Sequence, residues 1–456
     1  MVTVLPVEHP GLGNSSYLVD LGDGRAAVID PQRDVRPYLS IAHRYGLRIG
    51  YAVETHVHAD FVTGSRELAA QGAQVVAAGA AGLGFGHRGL ADGDRLDVGG
   101  LALEMVATPG HTPHHASWLL RDGDTPAGVF TGGALIVGGV ARTDLVSPDR
   151  TEDLARAAYR SVRDRLLTLP DELPVWPTHG PGSFCSSGES GERTSTIGTE
   201  RDGNPLLAGA ADEDEFVRRL LGGLGSYPDY FRWLPDYNRA GPVVFDGARP
   251  GLPALDPALF RRRHNHGAQI VDVRPVADYA AAHVPGSISN ELRPQFASFL
   301  GWTVDPAVPV LFVTAPDTDL DDLVSQCLNI GYEQLAGHLS GGMPRWRDAG
   351  LPTAHIEILA DDMMDRATVI DVRQAAEFAA GHVPGALNLE LGGLFEAAGS
   401  VPADRPVVTM CAHGQRSMTG ASLLARHRGS TDRIGVFTGS TEDWAARTGH
   451  RPADGP

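Results

Sequence analysis

Two imidazoles and a carboxylate stand at alternate positions in residues 55–60, as His56, His58 and Asp60. They directly follow residues 49–54, an apolar run that predicts a buried strand. Imidazole nitrogens and carboxylate oxygens are common ligands of first-row metals. A sharp exit from a strand lets side chains two residues apart converge on one point. The pattern therefore indicates a metal site at the end of this strand.

Two further histidines also follow predicted strands. His111 comes after residues 101–107, and His179 comes after residues 174–177. Because stacked sheets gather strand ends along one edge, we expect both histidines to join the site that begins at His56. His87, His114 and His115 have no predicted partner and are interpreted as ordinary polar residues. The hydrophobic periodicity predicts further strands at 17–21, 26–29, 49–53, 74–78, 116–120 and 129–131, and helices at 35–45, 65–71 and 151–167.

A second kind of chemistry is indicated at Cys411, which follows the apolar strand of residues 406–410. The loop continues through Gly414 and Arg416 into a predicted helix at 418–427. A thiol among backbone N–H groups at the positive end of a helix, beside a guanidinium, is favoured as thiolate. Gly414 would supply the backbone conformation that such a tight loop needs. The pattern predicts a nucleophilic cysteine rather than a buried structural one.

Cys411 lies in the second copy of an internal repeat. Residues 270–274 recur at 369–373, and the sequence His-Val-Pro-Gly at 283–286 recurs at 382–385. A repeat of this length is a small domain and not a solenoid unit. In the first copy Thr314 stands in the cysteine position, the glycine and arginine are missing, and Cys327 falls on the next helix. Since a threonine hydroxyl cannot act as the thiolate, we expect the first copy to be a structural or docking domain.

Composition limits the class of protein. The 456 residues are 42% hydrophobic and 21% charged, as in a globular protein of about three domains. A formal charge of -18 argues against nucleic acid or an anionic membrane as the main partner. Three widely spaced cysteines make a disulfide framework improbable. With no secretory signal in residues 1–10 and no apolar run of ~20 residues, we expect a cytoplasmic protein.

The order of the histidine motifs resembles the metallo-β-lactamase fold, a four-layer αββα sandwich. Within that fold the glyoxalase II and persulfide dioxygenase branch is most similar. Residues 193–198, followed by Asn204 and Pro205, resemble a segment of the persulfide dioxygenases that accompany rhodanese domains. The resemblance covers about the first 240 residues. It implies that Arg193, Thr194 and Ser195 contribute to substrate binding.

The repeat resembles the rhodanese domain, an α/β fold with a parallel sheet. In rhodaneses a Cys-x-x-Gly-x-Arg loop carries a persulfide sulfur between donor and acceptor, which implies this role for Cys411 with Gly414 and Arg416. The predicted fold class is therefore α/β multidomain: an αββα sandwich followed by two rhodanese-like domains. We predict a metallo-β-lactamase-like domain at 1–240, a Gly- and Pro-rich linker at 241–265, a rhodanese-like domain without its cysteine at 266–352, and a second with Cys411 at 355–452.

The resemblance implies a mononuclear Fe(II) held by two histidines and one aspartate. His56 and His111 match the histidines, but Gly133 occupies the aspartate position. Phe61 replaces a histidine that is frequent in related dinuclear zinc sites. Three interpretations are open: His58 completes a three-imidazole site for iron or zinc, the metal binds weakly and the domain is not catalytic, or Gly133 is an introduced substitution. Asp60 and His179 would then be direct ligands or groups that orient the ligands.

The expected activity is that of a persulfide dioxygenase and sulfurtransferase in sulfide and persulfide metabolism. It would oxidise a low-molecular-weight thiol persulfide, of glutathione or an equivalent, to sulfite, and Cys411 would transfer sulfane sulfur, linking the reaction to thiosulfate. One alternative is a sulfur-relay or scaffold protein with only rhodanese activity. The other is a glyoxalase II-type thioester hydrolase using metal-activated water. We further expect a homo-oligomer that binds neither nucleic acid nor membrane.

Overall fold

The computed structural model describes residues 2–186, 191–359, 364, 366–402 and 405–455. The chain forms two compact units. The first comprises residues 1–224, 229–249 and 328–331, and the second comprises 225–228, 250–327 and 332–456. No helix within the described ranges has the length and apolar character that crossing a bilayer would require.

The first unit contains two six-stranded sheets. In the first sheet β1 to β6 lie in sequence order, and in the second the order is β12-β11-β10-β9-β8-β7. The strands are β1 Val4–His9, β2 Asn14–Asp20, β3 Arg25–Ile29, β4 Arg48–Val53, β5 Gln74–Ala78, β6 Arg88–Leu90, β7 Arg95–Val98, β8 Leu101–Ala107, β9 Ala116–Asp122, β10 Thr125–Gly132, β11 Pro174–Pro177 and β12 Ser195–Thr196. The helices are α1 Arg36–Arg44, α2 Ser65–Ala70, α3 Thr151–Ser161, α4 Ile197–Gly203, α5 Pro205–Ala208, α6 Glu213–Gly222 and α7 Leu234–Ala240.

The core of this unit lies between the two sheets. Tyr17 of β2 packs against Phe130 of β10, with ring centroids 5.5 Å apart, and both side chains are buried. Helix α1 covers the outer face of the first sheet through Tyr38, and α3 covers the outer face of the second. The predicted αββα layering is thus confirmed. The helix predicted at 151–167 is an α-helix up to Ser161 and a π-helical turn over 162–166.

The second unit contains two five-stranded parallel sheets, ordered β13-β17-β16-β14-β15 and β18-β22-β21-β19-β20. The first is built from β13 Ala254–Leu255, α8 Pro257–Asn265, β14 Gln269–Asp272, α9 Val276–Ala281, β15 Ile288–Ser289, α10 Phe296–Thr303, β16 Val310–Val313, α11 Leu320–Asn329, β17 Leu335–Leu339 and α12 Gly342–Asp348. The second is built from β18 Glu357–Ile358, β19 Thr368–Asp371, α13 Ala375–Ala379, β20 Leu387–Asn388, α14 Leu394–Ala397, β21 Val407–Met410, α15 Gln415–Arg428, β22 Ile434–Val436 and α16 Thr441–Thr448.

The two halves of this unit repeat one hydrogen-bonding pattern. In each, the arginine of the Asp-Val-Arg turn donates to the aspartate two residues earlier, Arg274 to Asp272 and Arg373 to Asp371. The same guanidinium also caps the end of the next helix, at the carbonyl oxygen of Ala282 or of Gly381. These buried pairs explain why the turn recurs in both copies.

The stretch 241–265, expected as a linker, is partly structured. Strand β13 pairs with β17, and α8 begins at Pro257 with Asp256 as its N-cap. Residues 254–265 therefore belong to the first rhodanese-like sheet and its covering helix. Strand β13 was not predicted, because the segment is rich in Gly and Pro and two residues are too few to show a hydrophobic periodicity.

Candidate functional sites

The predicted metal-ligating residues meet at the ends of three strands. His56, His58 and Asp60 follow β4, His111 follows β8, and His179 follows β11. All five side chains are buried. Their strands belong to two different sheets, so the packing of the sheets brings the loops together.

Three of these imidazoles form a cluster suited to a metal ion. One nitrogen from each of His56, His111 and His179 lies within 4.8 Å of the other two. The Nε2 atoms of His56 and His179 are 3.3 Å apart. Nε2 of His111 is buried and has no hydrogen-bond partner among the described residues. A buried lone pair without a partner, facing two other imidazoles, is what a metal ligand presents before it binds.

The other ring nitrogen of each ligand candidate is already engaged. Nδ1 of His56 lies 2.8 Å from Oγ1 of Thr55, and Nδ1 of His111 donates to the carbonyl oxygen of Arg142 at 2.6 Å. Hydrogen bonds to Nδ1 fix the tautomer and ring orientation of metal-bound histidines. Each ring therefore presents Nε2 to the centre of the cluster.

His179 is oriented by a pair of polar groups. Its Nδ1 lies 3.2 Å from Oδ1 of Asn14 and 3.2 Å from Oδ2 of Asp60. Asn14 also donates to Asp60 at 2.9 Å, which fixes the carboxylate. The pKa of Asp60 is held at about 2, because the charge of His179 and its hydrogen bonds outweigh the cost of burial. The thiol of Cys185 lies near this carboxylate, and burial together with the Asp60 charge raises its pKa.

Burial lowers the pKa of two of the three imidazoles in the cluster, His56 and His111. Burial, and after it the neighbouring imidazole of His179, lower the pKa of His111 to about 3. The pKa of His56 is likewise lowered well below its usual value, first by burial and then by the imidazoles around it. Neutral imidazoles are the form that binds metal ions.

His58 lies in the same cluster but is held differently. Its Nε2 is 3.2 Å from Oδ1 of Asp30 and 3.2 Å from Oε2 of Glu54. Burial alone would lower the pKa of His58, but the two carboxylates outweigh it and raise the pKa to about 10. The ring stacks on Phe61, with centroids 4.1 Å apart. His58 can also be grouped with Asp30 and His56, or with Asp60 and His179, at ligand spacing.

The position expected to carry an aspartate is closed. A Cβ atom at Gly133 would lie 2.6 Å from Cδ2 of His111 and 2.9 Å from Cβ of Ala141. The backbone N–H of Gly133 donates to Nε2 of His115 at 3.0 Å, and that ring stacks on His56 with centroids 5.0 Å apart. His115, for which no role was predicted, is thus part of the wall of the site. His115 lies in a loop beside His114, and no hydrophobic periodicity in the sequence marked it as part of the site.

The predicted substrate-binding segment reaches this region through Arg193. Nη1 of Arg193 lies 3.4 Å from the carbonyl oxygen of Asn14 and 3.4 Å from Oγ of Ser15. Thr194 is exposed, and Ser195 lies in β12, paired with Val175 of β11. The structure therefore brings Arg193 to a residue that orients His179. It does not bring Thr194 or Ser195 there.

A pocket of about 210 Å³ adjoins the loops that carry the ligand candidates. Val57 and Ala59 line it from the first motif, and Thr112 and Pro113 line it from the loop after His111. Polar side chains from α7 and the turn before it also line the pocket: Arg232, Asp236 and Arg239. The pocket is therefore lined both by apolar residues of the ligand loops and by the guanidinium groups of Arg232 and Arg239.

The thiol loop lies between β21 and α15. Gly414 has φ +92°, a conformation that favours glycine, and its N–H donates to Sγ of Cys411 at 3.2 Å. Oγ of Ser417 is 3.5 Å from the same sulfur. The guanidinium of Arg416 forms two hydrogen bonds with the carboxylate of Glu377, at 2.6 and 2.8 Å. The N–H of Gly414 and the N-terminus of a 14-residue helix thus converge on the sulfur.

The first repeat has the same strand but a different loop. Thr314 follows β16, and the chain then turns at Ala315, whose N–H donates to Oγ1 of Thr318 at 2.9 Å. Cys327 is buried within α11, and burial raises its pKa. Among the described residues this repeat therefore has no thiol at the end of its strand.

Both halves of the chain are similar to known proteins. The model of the rhodanese-like domain matches residues 256–349 and 356–447. The persulfide dioxygenase ETHE1 of Homo sapiens is 35% identical over 213 residues, which are 46% of this chain and 76% of that protein. A hydroxyacylglutathione hydrolase of Methylococcus capsulatus is 31% identical, covering 45% of this chain and 74% of that protein.

Among solved structures, a metallo-beta-lactamase from Staphylococcus aureus is 26% identical, with a TM-score of 0.67. The match covers 74% of this chain and 99% of the other. It thus extends beyond the first unit, which ends at residue 249 apart from one short segment.

Proposed function

The chain belongs to the persulfide dioxygenases of the metallo-β-lactamase fold, extended by two rhodanese-like domains, and on this premise we propose a two-step sulfur enzyme. In the first unit a low-molecular-weight thiol persulfide is oxidised by O2 and water to sulfite, releasing the thiol and two protons. In the second unit Cys411 transfers sulfane sulfur. The observation that carries the proposal is the presence, in one chain, of a buried three-imidazole cluster and a thiol at a helix N-terminus.

His56, His111 and His179 are the residues that would hold the metal. We favour His179 over His58 as the third ligand, because His58 is held between Asp30 and Glu54. A bound Fe(II) would supply the site at which O2 and a sulfur atom react, and zinc is the other candidate for three imidazoles. The hydrogen bonds at Nδ1 orient the rings, and burial excludes water from the cluster.

The pocket beside the cluster is the proposed place for the thiol carrier. The apolar residues from the two ligand loops would face the sulfur end of the carrier. Arg232 and Arg239 would attract the carboxylates of glutathione or an equivalent anionic thiol, since guanidinium groups pair well with carboxylates. Arg193 would act by holding Asn14, and through it His179.

In the second unit the chain's own groups position Cys411 and its loop for sulfur transfer. The N–H of Gly414 points at the sulfur and can stabilise negative charge there. Glu377 holds Arg416 in a fixed orientation at the entrance to the helix. The domain limits predicted from the sequence, with the first rhodanese-like domain now beginning at residue 254, remain part of the proposal, as do a cytoplasmic location and a homo-oligomer. Reduced, unpaired cysteines such as Cys185, Cys327 and Cys411 suit that compartment.

Oxygen uptake and sulfite release with glutathione persulfide test the first step. We expect iron-loaded protein to consume O2 and release sulfite, with His111→Ala as the inactive control. Iron-loaded protein that gives neither product would contradict the dioxygenase step.

Two alternatives have their own support. The closed space at Gly133 supports a sulfur-relay protein with an impaired metal domain, which predicts that Cys411→Ser removes all activity and that chelation changes nothing. The similarity to a hydroxyacylglutathione hydrolase supports a thioester hydrolase. That activity usually needs two metal ions, so elemental analysis separates it: two zinc ions per chain would favour hydrolysis, and one iron would favour the dioxygenase.

A further inference from the structure

A buried hydroxyl lies beside the thiol that is proposed to carry sulfur. Oγ of Ser417 is 3.5 Å from Sγ of Cys411, and Ser417 is fully buried. Ser417 is the third residue of α15, so the first turn of this helix brings the hydroxyl to the thiol loop. A polar group enclosed in this way must be satisfied by hydrogen bonds, and its possible partners define what it can do.

Three elements fix Ser417 in place. Its backbone carbonyl oxygen accepts a hydrogen bond from Oγ1 of Thr409 in β21 at 2.8 Å. Its hydroxyl can donate to the carbonyl oxygen of Gly414 at 2.9 Å, or to that of Phe437, directly after β22, at 3.2 Å. The strand that leads into Cys411, the thiol loop and the neighbouring strand therefore hold this serine at the sulfur.

The hydroxyl has more possible partners than protons. It carries one proton and two lone pairs, and the proton rotates to suit its surroundings. While Cys411 is a thiol, a carbonyl oxygen takes the proton of Ser417, and the S–H group can donate to Oγ. A negative sulfur only accepts, so the hydroxyl can then turn and donate to it. The carbonyl oxygen of Gly414 keeps a donor after this turn, because it also accepts from the N–H of Met418 at 2.9 Å.

The first repeat lacks this arrangement together with the thiol. Strand β16 corresponds to β21 at an offset of 97 residues, because each pairs in the same way with the strand that ends at the Asp-Val-Arg turn. At this offset Phe312 takes the place of Thr409, and Thr314 takes that of Cys411. No serine occurs between Thr314 and Leu320, where α11 begins. The hydroxyl therefore accompanies the thiol, and the shared fold does not require it.

We infer that Ser417 is a catalytic residue of sulfur transfer, whose hydroxyl donates to Sγ of Cys411 when this sulfur is the leaving group. The inference rests on the proposed transfer of sulfane sulfur through Cys411. When cyanide is the acceptor, its carbon attacks the outer sulfur of the Cys411 persulfide anion and a C–S bond forms. The S–S bond breaks, and its electron pair leaves on Sγ.

The products of this step are thiocyanate and the Cys411 thiolate, so no oxidant, reductant or proton is consumed. Negative charge appears on Sγ as the S–S bond breaks. The N–H of Gly414 already donates to this atom at 3.2 Å, and the hydroxyl of Ser417 supplies a second donor from the other partner within reach. Hydrogen bonds to a charged acceptor are stronger than those to a neutral one, so the two donors lower the barrier to discharge.

Single-turnover measurements of the two half-reactions test this role in the full-length protein. Loading is followed as the sulfite released when the thiolate attacks thiosulfate, and discharge as the thiocyanate formed from loaded protein and cyanide. We expect Ser417→Ala to slow discharge about tenfold, the scale of a lost hydrogen bond to a charged group. Loading should slow by roughly threefold or less, because a less stabilised thiolate is also more nucleophilic. Ser417→Thr, which keeps the hydroxyl, should restore most of the discharge rate.

Ser422→Ala is the matched control, since it removes another buried hydroxyl from α15. Oγ of Ser422 donates to the carbonyl oxygen of Thr419 at 2.6 Å, and we expect both half-reactions to be unchanged in this variant. Equal slowing of loading and discharge in Ser417→Ala would overturn the inference. So would a loss of discharge in Ser422→Ala as large as in Ser417→Ala, because disturbance of the helix would then account for both.

The infrared S–H band of Cys411 tests the contact in acidic solution without any change at Ser417. The band is identified in the unchanged protein by its disappearance in Cys411→Ser. We expect it at the lower frequency of a thiol that donates a hydrogen bond, and at a higher frequency in Ser417→Ala. A protein that transfers sulfur but shows the band of a free thiol would overturn the inference alone. A protein that shows the low-frequency band but takes no sulfur from thiosulfate would contradict the proposed function.

Discussion

The backbone N–H of Gly133 donates a hydrogen bond to Nε2 of His115 at 3.0 Å. Because that nitrogen accepts, the proton of the ring is on Nδ1, which lies 2.8 Å from Oγ1 of Thr108. His115 is therefore a neutral histidine with both nitrogens occupied. It supports the loop at Gly133, where the family resemblance predicted a metal-binding aspartate, and it is not itself available to a metal.

This packing predicts the outcome of Gly133→Asp. The new Cβ would meet His111, whose ring is fixed by its bond to the Arg142 carbonyl oxygen. We expect the free energy of unfolding of metal-free protein to fall by about 1–3 kcal/mol, as in other overpacked sites, measured by urea denaturation. Gly86→Asp, at an exposed glycine with open space around it, is the control. An unchanged unfolding midpoint in Gly133→Asp would show that the ring of His111 moves freely.

Removal of single imidazoles should show which of them hold the metal. We expect His56→Ala, His111→Ala and His179→Ala to lower iron or zinc affinity at least ~10-fold, measured as metal content after dialysis. His87→Ala, whose ring lies outside the cluster, should bind metal like the unchanged protein. If His58→Ala lost as much metal as His179→Ala, the assignment of His58 to its carboxylate partners would be wrong.

His58 predicts a particular pH dependence of stability. Its pKa is about 10 in the folded protein against 6.5 for a free histidine, so folding favours the protonated ring. The resulting stabilisation is complete below about pH 6.5 and is lost as the pH rises towards 10. In metal-free protein the free energy of unfolding should therefore fall between pH 7 and 10 more steeply than in His58→Gln. Parallel pH curves for the two proteins would contradict this assignment.

Glu377 predicts a positioning effect in the second unit. Glu377→Gln removes the charge that fixes Arg416, and we expect kcat/KM for sulfur transfer to fall about tenfold, the scale of a lost charged hydrogen bond. Glu377→Asp should recover part of this loss, and Glu396→Gln, at an exposed position on α14, should have no effect. Full activity in Glu377→Gln would show that the orientation of Arg416 does not matter.

Helices and strands with a strong hydrophobic pattern were predicted well from the sequence. Strands Gln74–Ala78 and Leu101–Ala107 have the predicted bounds, because buried apolar runs there end at glycine, proline or polar residues. It missed β13, since two residues carry no periodicity. It also placed His111 and His179 correctly at strand ends.

Other parts of the sites could not be predicted from one sequence. Asn14 and His179 are 165 residues apart, and their contact depends on how two sheets pack. Ser289 and Ser422 are 133 residues apart, and their hydrogen bond likewise depends on how the two repeats pack. The role of His115 depends on a backbone N–H, which every residue except proline carries and no sequence pattern distinguishes.

The enclosure of Cys411 has a consequence for the lifetime of any sulfur stored on it. Only 2% of this residue is exposed, although it is the nucleophile proposed for transfer. A persulfide formed there would be shielded from bulky thiols and from adventitious oxidants, and small anions would reach it most readily. The loop would thus set a size limit on the acceptor, and sulfur would pass to small molecules in preference to the cysteines of other proteins.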